Sequence, residues 1–250
     1  MNKKNELALD LQTSTELAPV EILQTSTELA PASLYQDFSD LSHENIGFDD
    51  VKFPEILLVQ DNSKHLLKKF KEAGIKPGDF FNNVENTFSP TLNVIPFYIA
   101  KYYDVRIPKD NSDVSKIKIF ELPKTAQKVP ESSYWMDPSF DFEHKIYETF
   151  CYLVLLENMT FAKIIFQKSR HKMALKWNTL IKSRGFNAFK YKYRLHAFED
   201  THKGNTWLNI DMTCLEELDP KTFNQVGKLA RAVTPHISSF IMAEDLLLEA

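Results

Sequence analysis

Residues 188–198 alternate without a break: Phe189, Tyr191, Tyr193, Leu195 and Ala197 share one parity, and Lys190, Lys192, Arg194 and His196 the other. A period of two puts successive side chains on opposite faces of a strand, whereas a helix would spread them around its axis. The segment therefore reads as a half-buried strand with its aromatic side inward and a basic row outward. Neighbours in that row stand about 7 Å apart, twice the rise per residue and close to the spacing of phosphates on an extended strand.

Three more segments sort the same way. In residues 206–212, Leu208, Ile210 and Met212 face inward and Trp207, Asn209 and Asp211 outward. In residues 161–168, Ala162, Ile164 and Phe166 face inward, leaving Lys163 and Gln167 out. In residues 92–106, Ile95, Phe97, Ile99 and Val105 face inward and Tyr98, Tyr102 and Arg106 outward. Residues 145–156 form another apolar strand, and a shorter one is expected at 55–60. A short helix follows at 63–73, and then a turn at Lys76-Pro77-Gly78-Asp79, with Pro second and Gly third. Residues 107–144 read as a proline-punctuated loop. Ser169 is a candidate N-cap for a helix over 170–183, ended by Gly185. On it Met173, Trp177, Leu180 and Ile181 make a core stripe, so Trp177 is expected inside.

The central order is strand, long loop, strand, strand, helix, strand, strand, which is the order of an OB-fold. The expected class is mainly β with α (α+β). Its OB-like five-stranded barrel carries an added N-terminal strand and helix. Domain bounds follow: a disordered tail at 1–50, the barrel at 51–216 and a helical extension at 217–250. The tail repeats Leu-Gln-Thr-Ser-Thr-Glu-Leu-Ala-Pro at 11–19 and 23–31, too polar to build a core.

Net charge is −4, which alone argues against a nucleic-acid partner. The distribution reverses this. Residues 163–198 hold ten Lys/Arg and no Asp or Glu, leaving 20 Lys/Arg against 34 Asp/Glu elsewhere. The expected phosphate contacts are Lys163, Lys172, Lys176, Lys190, Lys192, Arg194, His196, Lys203 and Arg106. Tyr98, Tyr102 and Trp207 offer ring faces, each worth about 1–3 kcal/mol when a base stacks on it. DNA and RNA both fit such a groove, and a homo-oligomer is compatible with the sequence.

An enzyme is not expected. Asp137, Asp141, Glu143, His144 and Lys145 are similar in type to the carboxylate–lysine sets of metal-dependent nucleases, but their spacing is too tight. They read better as a charged lead-in to a strand. No phosphate-cradling loop, nucleophile elbow or zinc motif occurs, and six glycines leave little to build one from. No cofactor and no metal are expected. Cys151 and Cys214 lie in apolar runs and read as free buried thiols in a reducing, cytoplasmic setting. No apolar run approaches the roughly 20 residues of a membrane span. A third reading is a virion or scaffold interaction protein, docking through the repeats and an amphipathic C-terminal helix.

Several landmarks resemble a family of phage-encoded single-stranded-DNA-binding-like proteins. They are Leu58-Val59-Gln60, Lys76-Pro77-Gly78-Asp79-Phe80-Phe81 and Val94-Ile95-Pro96-Phe97-Tyr98, then Lys176-Trp177-Asn178-Thr179-Leu180, Tyr193-Arg194-Leu195 and Lys203-Gly204-Asn205-Thr206-Trp207. The resemblance implies an accessory of DNA replication or recombination in the host cytoplasm, with replication or recombination proteins as partners. One departure stands out. The C-terminal stretch, residues 243–250, is acidic but helical and apolar in pattern, unlike the disordered acidic tip such proteins use for recruitment.

Overall fold

Branched and aromatic side chains crowd residues 91–109 and 145–156, and both segments are strands, because such side chains fit a pleated, half-buried surface. The computed structural model describes residues 54–109, 112–185, 188–202 and 204–237. The tail with its repeat, Lys203 and the acidic C-terminal stretch lie outside the described residues. The first elements are β1 (Ile56–Leu58), α1 (Lys64–Lys69), β2 (Phe80–Asn82), β3 (Phe88–Ser89), β4 (Thr91–Lys109), β5 (Ser112–Ile119), β6 (Gln127–Lys128) and β7 (Tyr134–Met136). Then come β8 (Lys145–Leu156), β9 (Phe161–Phe166), α2 (His171–Ser183), β10 (Tyr191–His202), β11 (Asn205–Glu217) and α3 (Pro220–Val233). The chain is mostly β with few helices, the α+β class expected.

The β4–β8 pair is the spine, antiparallel from Val94 opposite Leu156 to Arg106 opposite Lys145. Around one half, β10 pairs with the start of β4, β9 with the end of β8, and β11 lies outside β10. Around the other half, β5 folds back on the end of β4, while β7 and then β6 extend from the start of β8. Residues 107–144 are therefore not a plain loop. Pro108 lies near the end of the β4–β5 hairpin, and Pro123, Pro130 and Pro138 fall between strands, where a missing N–H breaks no ladder.

Both faces of the sheet are covered. On one, Tyr152, Val154, Ile164, Phe166, Tyr193 and Leu195 close on Ala174, Trp177 and Ile181 of α2 and on Ile56, Leu58 and Phe80. On the other, Ile95, Phe97, Ala100, Tyr102, Leu153 and Leu155 are buried under Val226, Ala230 and Val233 of α3. The rings of Phe166 on β9 and Tyr193 on β10 both touch the Trp177 indole, at 5.9 and 5.7 Å between centroids. In a flat sheet those strands, with β8 and β4 between them, would stand about 14 Å apart. The sheet therefore curls around Trp177.

Local details depart from the sequence reading where tertiary contacts override it. A 3-10 turn at Lys168–Arg170 precedes α2, and the helix starts on Arg170 with no side-chain cap, so Ser169 is not the cap. Residues 188–190 are a 3-10 turn rather than strand, and Phe189 joins the layer under α3, 5.2 Å from the Phe223 ring. From Tyr191 onward the predicted faces hold, with Tyr193 and Leu195 fully buried. The β10–β11 hairpin runs on to His202, farther than expected. Gly78 has φ 93°, as its place in the turn requires, and a Cβ there would lie 3.5 Å from that of Ala197.

The strands β9 and β11 flank a gap that β1 occupies. Glu55 forms a parallel bridge with Lys163, whose N–H donates to the Pro54 carbonyl at 2.7 Å. Across the gap, the Gln60 amide donates to the Leu208 carbonyl at 2.9 Å and accepts from the Leu208 N–H at 3.1 Å. A side-chain amide there replaces a neighbouring strand's backbone.

Candidate functional site

Antiparallel pairing sets β11 directly across from the basic row of β10, and β11 brings carboxylates. Lys190 meets Glu217 at 2.9 Å, Lys192 meets Glu216 at 3.1 Å, and His196 lies opposite Asp211. From α2, Lys172 reaches Asp200 at 2.7 Å and Lys176 reaches Asp211 at 2.5 Å. Lys172 and Asn209 hold the Asp200 carboxyl below the ordinary carboxylate range. For Asp211 burial pushes the other way, but Lys176 and the Met212 N–H outweigh it. Arg194 is exposed and donates to the neutral Asn93 Oδ1 at 3.1 Å. Four lysines of this surface are thus held in ion pairs while Arg194 faces a neutral amide, so it is not a bare cationic groove.

The remaining predicted contacts scatter. Tyr102 is 1% exposed, buried beneath α3, and Tyr98 packs half-buried on the same layer. Lys163 is 6% exposed and pairs with Glu55 at 3.5 Å. Both Tyr102 and Lys163 were expected at the surface: Tyr102 instead lies in the layer under α3, and Lys163 is covered by the segment entering β1, where Glu55 bridges it. A bulge between Pro96 and Tyr98 also breaks parity along β4, so Ile95 and Phe97 point to the α3 layer while Ile99 packs in the α2 layer. Arg106 is half-buried and bonds Asp104 at 3.1 Å. Trp207 is half-buried, with its indole N–H shut from solvent.

A different set converges at the other half of the sheet. Lys145 and Tyr147 share one face of β8, Tyr134 lies across from Tyr147 on β7, and Lys168 follows β9. The Tyr134 and Tyr147 rings are 5.7 Å apart and tilted by 59°. Lys168 Nζ lies 4.7 Å from the Tyr147 ring centre and Lys145 Nζ 5.7 Å from that of Tyr134. Lys168 holds φ 54°, a left-handed conformation that costs a residue with a side chain roughly 1–2 kcal/mol. Into this set β5 inserts Asp113. Its carboxylate accepts from Lys145 Nζ, Lys168 Nζ and Tyr147 OH, each at 3.2 Å. Burial works against that charge, yet the two lysines hold the carboxyl below its ordinary range. Burial, and then Asp113, push the Tyr147 phenol well up, so it stays a donor. The alternation Lys145-Ile146-Tyr147 could have flagged half of this site. Nothing in the sequence points to Asp113, 32 residues away from Lys145.

The acidic lead-in considered for metal chemistry has a structural use. Asp137 is buried and accepts from Thr125 Oγ1 at 2.9 Å and from the Ser139 N–H at 2.8 Å. Its own N–H donates to His144 Nε2 at 2.8 Å, while Asp141 and Glu143 are exposed. Among the described residues no group of three or more His, Cys, Asp or Glu is placed to hold a metal. No described helix is long and apolar enough to cross a membrane.

No curated protein and no solved structure matches the chain. One family does, described as Pam3 phage gp34-like protein, over residues 24–236. That span includes the curled sheet, both covering helices and the lysine–tyrosine set, and the protein belongs to the Pam3 phage gp34-like family.

Proposed function

We propose that this phage protein binds single-stranded nucleic acid with little sequence preference, as an accessory of phage DNA replication or recombination, on an OB-type barrel. The observation that carries the reading is the convergence of Lys145, Lys168, Tyr134 and Tyr147. Cations beside ring faces are what sequence-tolerant binding uses: the two ammonium groups would take the backbone and the half-buried Tyr134 ring a base, while the buried Tyr147 supports the set from beneath. The strand order supports it. Counting β4, β8, β9, β10 and β11 as strands one to five, the pairing order is five, four, one, two, three, with α2 between three and four. OB-type binders use the face of strands two and three and the loops after strands one and four. Lys145 and Tyr147 lie on strand two, Lys168 follows strand three, and Tyr134 lies in the connection after strand one.

The test is a titration of labelled oligo-dT at several salt concentrations, with duplex as competitor. Binding that prefers the single strand and weakens by about 0.7 log units per log unit of salt for each phosphate neutralised is expected. Equal affinity for duplex, or no binding, would sink the reading.

One observation favours an interaction protein of the virion or scaffold instead. Ile117, Phe120 and Phe142, all within the connection between β4 and β8, are 43%, 48% and 38% exposed. The repeat and the C-terminal helix that first suggested this role lie outside the described residues.

A further inference from the structure

Resting on the nucleic-acid reading, we infer that the Asp113 carboxylate occupies the seat of a backbone phosphate, and that single-stranded nucleic acid binds by displacing it. The donor set is what a phosphodiester needs: two ammonium groups and a phenol O–H, converging on two oxygens that share one negative charge. Two cations face one carboxylate, so the seat keeps a positive excess with Asp113 in place. A third cation, Arg106, lies opposite Lys145 in the β4–β8 register and has Asp104 as its own partner.

The contacts are also loose. Charge-assisted N–H···O bonds commonly close to about 2.7–2.9 Å, and these stand at 3.2 Å. The ammonium groups remain partly open to solvent, Lys145 at 31% and Lys168 at 40%, while the carboxylate is 12% exposed. The lysine ends of these pairs are open enough for solvent to weaken them, so a phosphate offering the same charge can take over the lysines. The half-buried Tyr134 ring beside the seat gives the adjoining base a face to lie on. Asp113 is carried by β5, which among the described residues pairs only with β4, so its withdrawal breaks no second described ladder.

The exchange leaves a signature in the salt dependence. In the native protein, phosphate entry frees the Asp113 carboxylate, which gathers cations as the strand releases its own, and that seat adds little to the slope. In Asp113→Asn no carboxylate is freed, and the cations released by the strand count in full. The variant should therefore bind oligo-dT several-fold more tightly at low salt, with a log–log slope steeper by about 0.7. Asp113→Glu restores the charge and should return both values toward native, and thermal melts on all three full-length proteins show whether each is folded. If native protein binds oligo-dT while folded Asp113→Asn binds equally or more weakly with an unchanged slope, the exchange is wrong and the binding reading stands. If Asp113→Asn fails to fold, Asp113→Ser is titrated in its place and read by the same two outcomes. If no form binds, both fall. Inorganic phosphate at matched ionic strength is the last arm: displacement of the oligonucleotide at low millimolar levels would mean a seat for free phosphate and overturn the phosphodiester assignment.

Discussion

The indole of Trp177 lies flat on the ring of Tyr152, with centroids 4.3 Å apart and planes 12° apart. This contact ties α2 to the middle of β8. The Tyr152 O–H adds to it by donating within reach of the Ala174 carbonyl at 3.0 Å and of Asn178 Oδ1 at 2.7 Å, and burial raises that phenol far enough to keep its proton. Trp177→Ala should cost about 3–5 kcal/mol, the range for emptying a large aromatic site. Tyr152→Phe keeps the stacked ring and should cost roughly 1 kcal/mol for the lost hydrogen bonds. Urea denaturation measures both. A Trp177→Ala cost below that of Tyr152→Phe would mean that α2 is not anchored here.

Two lysine pairs separate the alternative binding surfaces. Lys145→Ser with Lys168→Ser strips the set around Asp113, and Lys190→Ser with Lys192→Ser strips half of the β10 row. The first pair should lower oligo-dT affinity and flatten the salt slope by up to about 0.7 per lost phosphate contact. The second should change affinity less, because Glu217 and Glu216 neutralise those cations one for one, whereas a single carboxylate faces both Lys145 and Lys168. Fluorescence anisotropy on both double variants decides between them. The reverse ranking would return the site to β10.

What was legible in the sequence is what a single element's period can encode. The Trp177 stripe repeats every turn, and the parity of Tyr193 and Leu195 fixes which side of β10 is core; both are local. Parity says nothing about what lies across from a side chain. Glu216 and Glu217 neutralise Lys192 and Lys190 only because the β10–β11 register brings them together. Tyr102 and Lys163 were taken for surface residues because their parity opposed one core; a second layer under α3 and a segment packed beside β9 are invisible to that test. The bulge at Phe97 adds one residue to β4 and inverts parity midway, which no alternation count foresees. Asp113 reaches its lysines through a hairpin in a stretch whose prolines suggested a loop.

Acid should destabilise the protein in a defined window. Asp113, Asp200, Asp211 and Glu148 are all held below the ordinary carboxylate range. For Glu148 burial opposes the shift, and Lys101 and His171 overcome it. A carboxyl depressed in the folded state contributes its full stabilisation above the unfolded value, near 4, and loses it as pH falls through the lower folded value. The melting temperature should therefore vary little between pH 7 and about 5 from these groups, then drop below about pH 4. Replacing Asp200 and Asp211 together by Asn removes two of these linked groups. The drop should become shallower, and an unchanged acid limb would show that these pairs do not carry it.

Gln60 gives the sharpest test of how the curled sheet closes. Its amide both donates to and accepts from the backbone of Leu208, which lies on an edge strand. Gln60→Ala leaves that carbonyl and N–H without their partner. A buried backbone group so orphaned costs about 1–3 kcal/mol, and water reaching this half-buried site should hold the loss to the lower end of that range. Gln60→Glu keeps an acceptor for the Leu208 N–H but sets a carboxylate oxygen against the Leu208 carbonyl, so it should rescue little. Amide hydrogen exchange locates the effect. Leu208 should exchange faster in Gln60→Ala, while Tyr152, on β8 in the spine away from the gap, keeps native protection. Faster exchange across the whole sheet would mean global destabilisation instead. No change at Leu208 would mean that β11 stays shut without the amide, leaving the Pro54–Lys163 contact on the β9 side as the closure that matters.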